Sequence, residues 1–153
     1  MGTDQADIIN AGAGKDVVIG WTGNDIVSGG TGDDTFYASS AADLIFEGVG
    51  EGTDTVIASA GFYLYANIEN LTLAAGSGDF FGVGNDLANV ITGNAGGNLL
   101  IAGGGIDTVN GGLGNDAIYG QDGADVLNGE AGIDYIVGGI GHDVIDGGAD
   151  ADN

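Results

Sequence analysis

The sequence predicts an all-β fold, a solenoid of parallel coils in which two nine-residue units make one coil: turn, strand, turn, strand. Three observations lead there. The first is a register. Sliding GGTGDDTFY (29–37) back by nine overlays it on GWTGNDIVS (20–28), AGAGKDVVI (11–19) and GTDQADIIN (2–10). The second is composition, 34 glycines and no proline in 153 residues, so turns are frequent and strand pairing is never interrupted by a missing N–H. The third is a conflict. There are 23 acidic residues against one Lys or Arg, a net charge of −22, which by itself reads as disorder, yet 43% of the residues are hydrophobic and can build an interior. A bound cation reconciles the two. The length suits one domain, 1–153.

Each unit divides in the same way. Glycine at places one, two and four is expected to supply backbone angles that a side chain would forbid, and to let carbonyl oxygens crowd toward one point. Place six is aspartate. Places seven to nine form a short strand whose middle side chain points inward. In the first block, 2–46, place six is Asp7, Asp16, Asp25, Asp34 and Asp43, and place eight is Ile9, Val18, Val27, Phe36 and Ile45. Residues 47–83 are degenerate. Glu47 and Gly48 break the phase, VGEGTDTVI (49–57) resumes it with Asp54 and Val56, and FYLYANIENLTL (62–73) loses the glycines. For residues 58–83 two phases stay open: Asn70 and Asp79 at place six, or Leu71 and Leu73 inward. The second block, 84–153, carries AGGGIDTVN, GGLGNDAIY, GQDGADVLN, GEAGIDYIV and GGIGHDVID, with Asp107, Asp116, Asp125, Asp134 and Asp143 at place six and Asp152 in the truncated GGADADN. Its first two units place Asn89 and Asn98 where aspartate would stand. A neutral amide offers one oxygen and no charge, so an ion is expected to be weak or absent there, with the amides serving turn backbone groups instead.

The pattern GGxGxDxUx, U being a large apolar residue, resembles the calcium-binding nonapeptide of RTX (repeats-in-toxin, haemolysin-type) proteins. The middle resembles the segments between repeat blocks in large RTX adhesins, serralysin-like exoproteins and the repeat modules of alginate epimerases, so the resemblance covers essentially the whole chain. It implies a right-handed parallel β-roll with calcium ions between successive coils, bridging aspartates 18 residues apart. Like places then stack into rows, Asp7, Asp25, Asp43 along one edge and Asp16, Asp34 along the other, with Asp107, Asp125, Asp143 and Asp116, Asp134, Asp152 in the second block. Asp54 joins them as a metal ligand. The backbone carbonyls expected to add oxygens are those of Gly12, Gly14, Gly23, Gly30, Gly32, Gly103, Gly105, Gly112, Gly114, Gly123, Gly132, Gly139 and Gly141. Six or more hard oxygens suit calcium. Asp33, at place five, is expected to face solvent.

Other functions fit poorly. The nucleic-acid backbone would be repelled and no basic patch exists. No apolar run approaches the roughly 20 residues of a membrane span. Without cysteine there is neither a disulfide nor a thiolate site. The start MGTDQADIIN reads as no signal peptide, and GGADADN shows no secretion signal. The repeat absorbs almost every carboxylate, and the lone His142 sits at place five, so no catalytic set can be assembled and the chain is read as non-catalytic. Phe62, Tyr63, Tyr65, Phe80 and Phe81 read as core filling rather than a sugar-binding patch. Ile8, Val17, Ile26, Leu44, Val126 and Val144 at place seven, with Ile19, Phe46, Ile57, Ile101 and Val137 at place nine, point outward, either as partner-binding stripes or simply as strand formers. The uncapped coil ends suggest head-to-tail or lateral self-association. The expected function is a calcium-binding extracellular module, secreted by the type I route that the resemblance implies, largely disordered without calcium and folded by it. The alternatives are a self-assembling structural or adhesive protein and, more weakly, a polysaccharide-binding accessory module of an exoenzyme.

Overall fold

A computed structural model describes residues 2–20, 22–76 and 78–153. Every element among them is a strand: β1 (Ile8–Ala13), β2 (Val17–Ile19), β3 (Ile26–Thr31), β4 (Thr35–Ala38), β5 (Leu44–Phe46), β6 (Thr55–Ala58), β7 (Phe62–Tyr63), β8 (Asn70–Leu73), β9 (Phe81–Val83), β10 (Val90–Thr92), β11 (Leu99–Gly105), β12 (Thr108–Leu113), β13 (Ala117–Gly123), β14 (Val126–Ala131), β15 (Tyr135–Ile140) and β16 (Val144–Asp146). Except at β5, each strand pairs in parallel with the strand two further on, most often at an offset of one coil: Ile9 with Val27, Val27 with Ile45, Val109 with Leu127, Ile118 with Ile136. The even-numbered strands form one continuous eight-stranded sheet, the flank of a β-solenoid of about eight turns. The opposite flank is broken. It consists of β1-β3-β5 and, separately, a five-stranded sheet from β7 to β15. The break falls where the phase fails, between Phe46 and Phe62.

Place eight points inward as the alternation requires, and Val18, Val27, Phe36, Ile45, Val56, Leu71, Ile91, Leu100, Val109, Ile118 and Leu127 are all buried. Place one is inward too. There the middle carries further side chains, Ala58 beside Val56, Leu64 beside Phe62, Leu73 beside Leu71 and Ala102 beside Leu100, and Ile68 is buried with them. The flanking blocks mostly have glycine at that place. A core of one side chain per unit therefore describes the flanks and not the middle. At about 1.5–3 kcal/mol for each large apolar side chain buried, the middle coils gain the most from packing.

The phase of residues 58–83 is settled in favour of Leu71 and Leu73. Val56 pairs with Leu71 across 15 residues and Leu71 with Ile91 across 20, so a short coil is followed by a long one. This puts Glu69 at place six and Asn70 at place seven. Asp79 lies level with Gly97, whose N–H it accepts at 3.0 Å, so it occupies place five rather than six. The aromatic group divides: Phe62 is core, Tyr65 and Phe80 pack against the core, and Tyr63 lies on the surface against Phe81 with ring centroids 4.7 Å apart. Ile8, Val17, Ile26, Phe46, Val126, Val137 and Val144 are exposed on the sheet faces, while Ile19, Leu44, Ile57 and Ile101 are half covered by their neighbours.

In the second block the strands run on through the glycines, so that turns pair with turns. Gly103 and Gly105 have φ of 112° and 124°, and a Cβ on either would collide with a carbonyl oxygen one coil away, that of Asn85 or Leu87. Place one is different. Gly20, Gly29, Gly111, Gly120 and Gly129 do not have the left-handed φ expected of them; what needs the room is the place-six carboxylate of the same unit, which lies where a Cβ would stand. Ala11, Ala38 and Ala102 hold the same place with a methyl group, so not every unit uses that room.

Candidate metal centre

The place-six aspartate ends its turn, and the next strand begins one residue later. That position turns its side chain into the gap between stacked turns. One oxygen, Oδ1, accepts the backbone N–H of the place-six residue one coil earlier: Asp7 N–H to Asp25 at 3.0 Å, Asp16 to Asp34 at 2.7 Å, Asp25 to Asp43 at 3.2 Å, Asp34 to Asp54 at 2.8 Å. The second block repeats this for Asp107 to Asp125, Asp116 to Asp134, Asp125 to Asp143 and Asp134 to Asp152, at 2.8–3.1 Å. The four expected rows are therefore brought together.

The other oxygen is the anomaly. In Asp16, Asp25, Asp34, Asp54, Asp107, Asp116, Asp125 and Asp134 the buried Oδ2 accepts no hydrogen bond. All of these residues except Asp16 are at most 2% exposed. An unsatisfied buried polar atom costs about 1–3 kcal/mol, and more when charged. Burial pushes the carboxyls of Asp54, Asp107 and Asp116 up to about 6, with neighbouring carboxylates adding to the rise against the backbone hydrogen bonds that oppose it. The sequence offers no cationic side chain to help, since its one Lys or Arg is Lys15, which is exposed.

The turn carbonyls lie alongside. Those of Gly12, Gly14, Gly105, Gly114 and Gly123 project into the gap toward the matching glycine of the next coil, and Gly32 projects toward Gly52. Gly23, Gly30, Gly103, Gly112, Gly132, Gly139 and Gly141 in turn receive the carbonyl of the preceding coil on their bare α-carbons. A Cβ at any of them would fill that cradle. Among the described residues no three acidic or histidine side chains converge on one point, so an ion held here would need carbonyls as well as aspartates. Oxygen alone, partly anionic, is the donor set of a hard divalent cation.

Not every aspartate is equivalent. Asp43 has both oxygens occupied, because Ser39 and Ser40 donate their N–H groups to Oδ2 at 3.0 and 3.1 Å, and Thr3 closes Asp7 in a similar way. Asp143 and Asp152, in the last coil, are only half buried. The asparagine units behave as the amide argument requires. Asn89 Oδ1 accepts Asn85 N–H at 2.7 Å and its amide nitrogen donates to the carbonyls of Ile68 and Glu69; Asn98 accepts Asn94 N–H at 2.8 Å and donates to Gly78. Two further turn-closing amides, Asn85 and Asn94, escaped the sequence reading, although both stand at place two where glycine is usual. Glu69 also escaped it: its carboxylate accepts Asp54 N–H at 2.8 Å, as an aspartate would one coil on.

The sequence model of the RTX calcium-binding nonapeptide repeat matches four times, at residues 1–36, 22–46, 83–118 and 119–153. The chain belongs to the RTX calcium-binding repeat family. Over 61 residues, 40% of its length, this RTX chain is also 41% identical to part of the endo-1,3-1,4-beta-glycanase ExsH of Rhizobium meliloti (strain 1021), and the match spans 13% of that glycanase. Calcium is thus the ion to test against the orphaned oxygens, and they fit it: pairs of ionised aspartates with carbonyl oxygens beside them, between stacked RTX turns.

Proposed function

We propose that this chain is a non-catalytic, extracellular calcium-binding module whose aspartate-lined coils fold as calcium binds. The observation that carries this is the set of eight buried Oδ2 atoms without a hydrogen-bond donor. The place-six aspartates of the four rows, from Asp7 to Asp152, and Asp54 would hold the ions together with the turn carbonyls. When bound, calcium supplies the positive charge the sequence lacks and the oxygen partners the buried carboxylates lack. The protein's own part is to stack the turns so that these oxygens face one another. Ordering backbone costs roughly 1–2 kcal/mol per residue, most for glycine, and the thin core of the flanking blocks offsets little of it. Ion binding then becomes folding free energy.

Extracellular calcium modules bind at about 10⁻⁴–10⁻³ M. Such a chain stays largely unfolded in a cell and folds outside it, which suits passage through a type I secretion channel. The test is circular dichroism and calcium titration of the whole chain. The expected result is a gain of β signal with calcium in the millimolar range, reversed by chelator. The same spectrum in excess chelator as in calcium would overturn the reading.

A second reading is self-assembly, favoured by apolar side chains exposed on the sheet faces, among them Ile8, Val17, Phe46 and Tyr63. Electron microscopy in calcium would show filaments or sheets. The glycanase likeness favours a third role, an accessory module beside an enzyme, which binding of a β-glucan to the calcium-loaded chain would reveal.

A further inference from the structure

Glu47 breaks the pattern in one specific way: it stands at place one, where its counterparts in the two repeat blocks are glycine or alanine. It follows β5 directly, level with Gly29 within β3. Its side chain reaches back one coil, and its oxygens accept the N–H groups of Gly29 at 2.6 Å and Gly30 at 3.2 Å. That brings a second carboxylate to the spot where Asp34 keeps its unpartnered Oδ2. The position a Gly29 Cβ would occupy is 2.6 Å from Glu47 Oε1 and closer still to Asp34 Oδ2. Asp54, whose Oδ1 accepts Asp34 N–H, leaves its own Oδ2 unpartnered in the same stack of turns. Asp34 and Asp54 are both 1% exposed.

Two carboxylates brought this close, one of them fully buried, need a positive charge between them. No lysine or arginine is at hand, so the choice lies between a shared proton and a metal ion.

The geometry points to a divalent-cation site formed by Glu47 and Asp34, with Asp54 of the next coil beside it, outside the nonapeptide pattern. Its side-chain glutamate replaces what the other turns obtain from backbone alone. All its donors are oxygen, and the ion class is calcium. The site rests on the reading of the aspartate rows as calcium-binding, and it makes a distinct claim: one ion at this turn depends on a residue that the repeat does not contain.

The test counts calcium ions per chain by native mass spectrometry and equilibrium dialysis, on the full chain, for the wild type, Glu47→Gln, Glu47→Gly and Asp125→Asn. Glu47→Gln keeps the shape, and Glu47→Gly restores the residue usual at place one, so both retain the fold in calcium. The expected result is one ion fewer in each Glu47 variant. If Asp125→Asn loses an ion while both Glu47 variants keep the wild-type count, only this site is overturned, and Glu47 is a cap on Gly29 and Gly30 that shares a proton with Asp34. If the wild type binds no calcium at all, the reading of the rows falls and this site with it.

Discussion

The turns at Asn89 and Asn98 and the turns at Asp107 and Asp116 are neighbours in the same stack, yet they solve one problem in opposite ways. Both must satisfy polar groups in the gap between coils. The asparagines do it internally, with an oxygen that accepts a turn N–H and a nitrogen that donates to carbonyls of the coil before. The aspartates use one oxygen and strand the other. The coil that carries the amides packs Leu100 with Ala102, and the coil before it has Leu71 with Leu73. The middle is thus complete with protein atoms alone, and the flanks are complete only with something added. A single atom exchanged, nitrogen for oxygen, separates a structural turn from one that depends on a cation.

The difference predicts that the middle, roughly from Val56 to Ala102, keeps β structure in chelator while both flanks do not. Limited proteolysis in chelator, read by mass spectrometry, should release the flanks first and leave a protected middle fragment. The largest effect on that comparison is expected from Leu71→Ala. Leu71 is fully buried, and such a truncation costs about 2–5 kcal/mol. The protected fragment should vanish, while calcium still orders the flanks. Persistence of the fragment would mean that the middle does not stand on its own packing.

Next is Asn98→Asp, which turns one closed gap into an open one. The new carboxylate would face the Gly78 carbonyl and Asn94 Oδ1, both acceptors now served by the amide nitrogen. A loss of about 1–3 kcal/mol is expected without calcium, read as a lower urea midpoint, with part of it recovered in calcium. Equal loss with and without calcium would show that amide geometry, not charge, makes the difference.

Acid should narrow the contrast. The carboxyls of Asp107 and Asp116 lie near 6 in the folded chain and about 4 when unfolded, so the fold binds their protons more tightly. Metal-free stability therefore rises as pH falls from about 6 to about 4, and the penalty is fully present above 6. With calcium the trend reverses, because the ion needs ionised ligands. Circular dichroism in chelator at pH 7 and pH 4.5 checks the sign; less β signal at the lower pH would contradict it. The smallest effect is expected at Glu130→Gly. Glu130 holds a φ of 72° at place two, where glycine is usual. Relief of that conformation should stabilise the calcium-bound chain by under about 1 kcal/mol in urea titration, since glycine's greater unfolded-state entropy offsets part of the gain.

Much of this was legible beforehand because a fixed period leaves few choices. Asp7, Asp25 and Asp43 had to align once two units made a coil, and the inward set from Val18 to Leu127 followed from the strand alternation. The exceptions have local causes. Glu69 was hidden because a coil of 15 residues precedes one of 20, so its place six fell out of phase, and because its longer side chain covers the same gap as an aspartate. Asp43 looked like any other member of its row, yet Ser39 and Ser40 bring N–H groups to its Oδ2. The repeat by itself suggests a conformational need at the place-one glycines, and the stacked turns show room for a carboxylate instead.

Period and residue type were enough to define the coil, the inward and outward sides, and the rows of carboxylates, because stacking identical units repeats each local preference at the same height. Which carboxylate oxygen finds a donor, which turn closes on itself and where one sheet breaks depended on packing between coils. Those outcomes turn on distances across the gap, and a nonapeptide read in isolation has no gap.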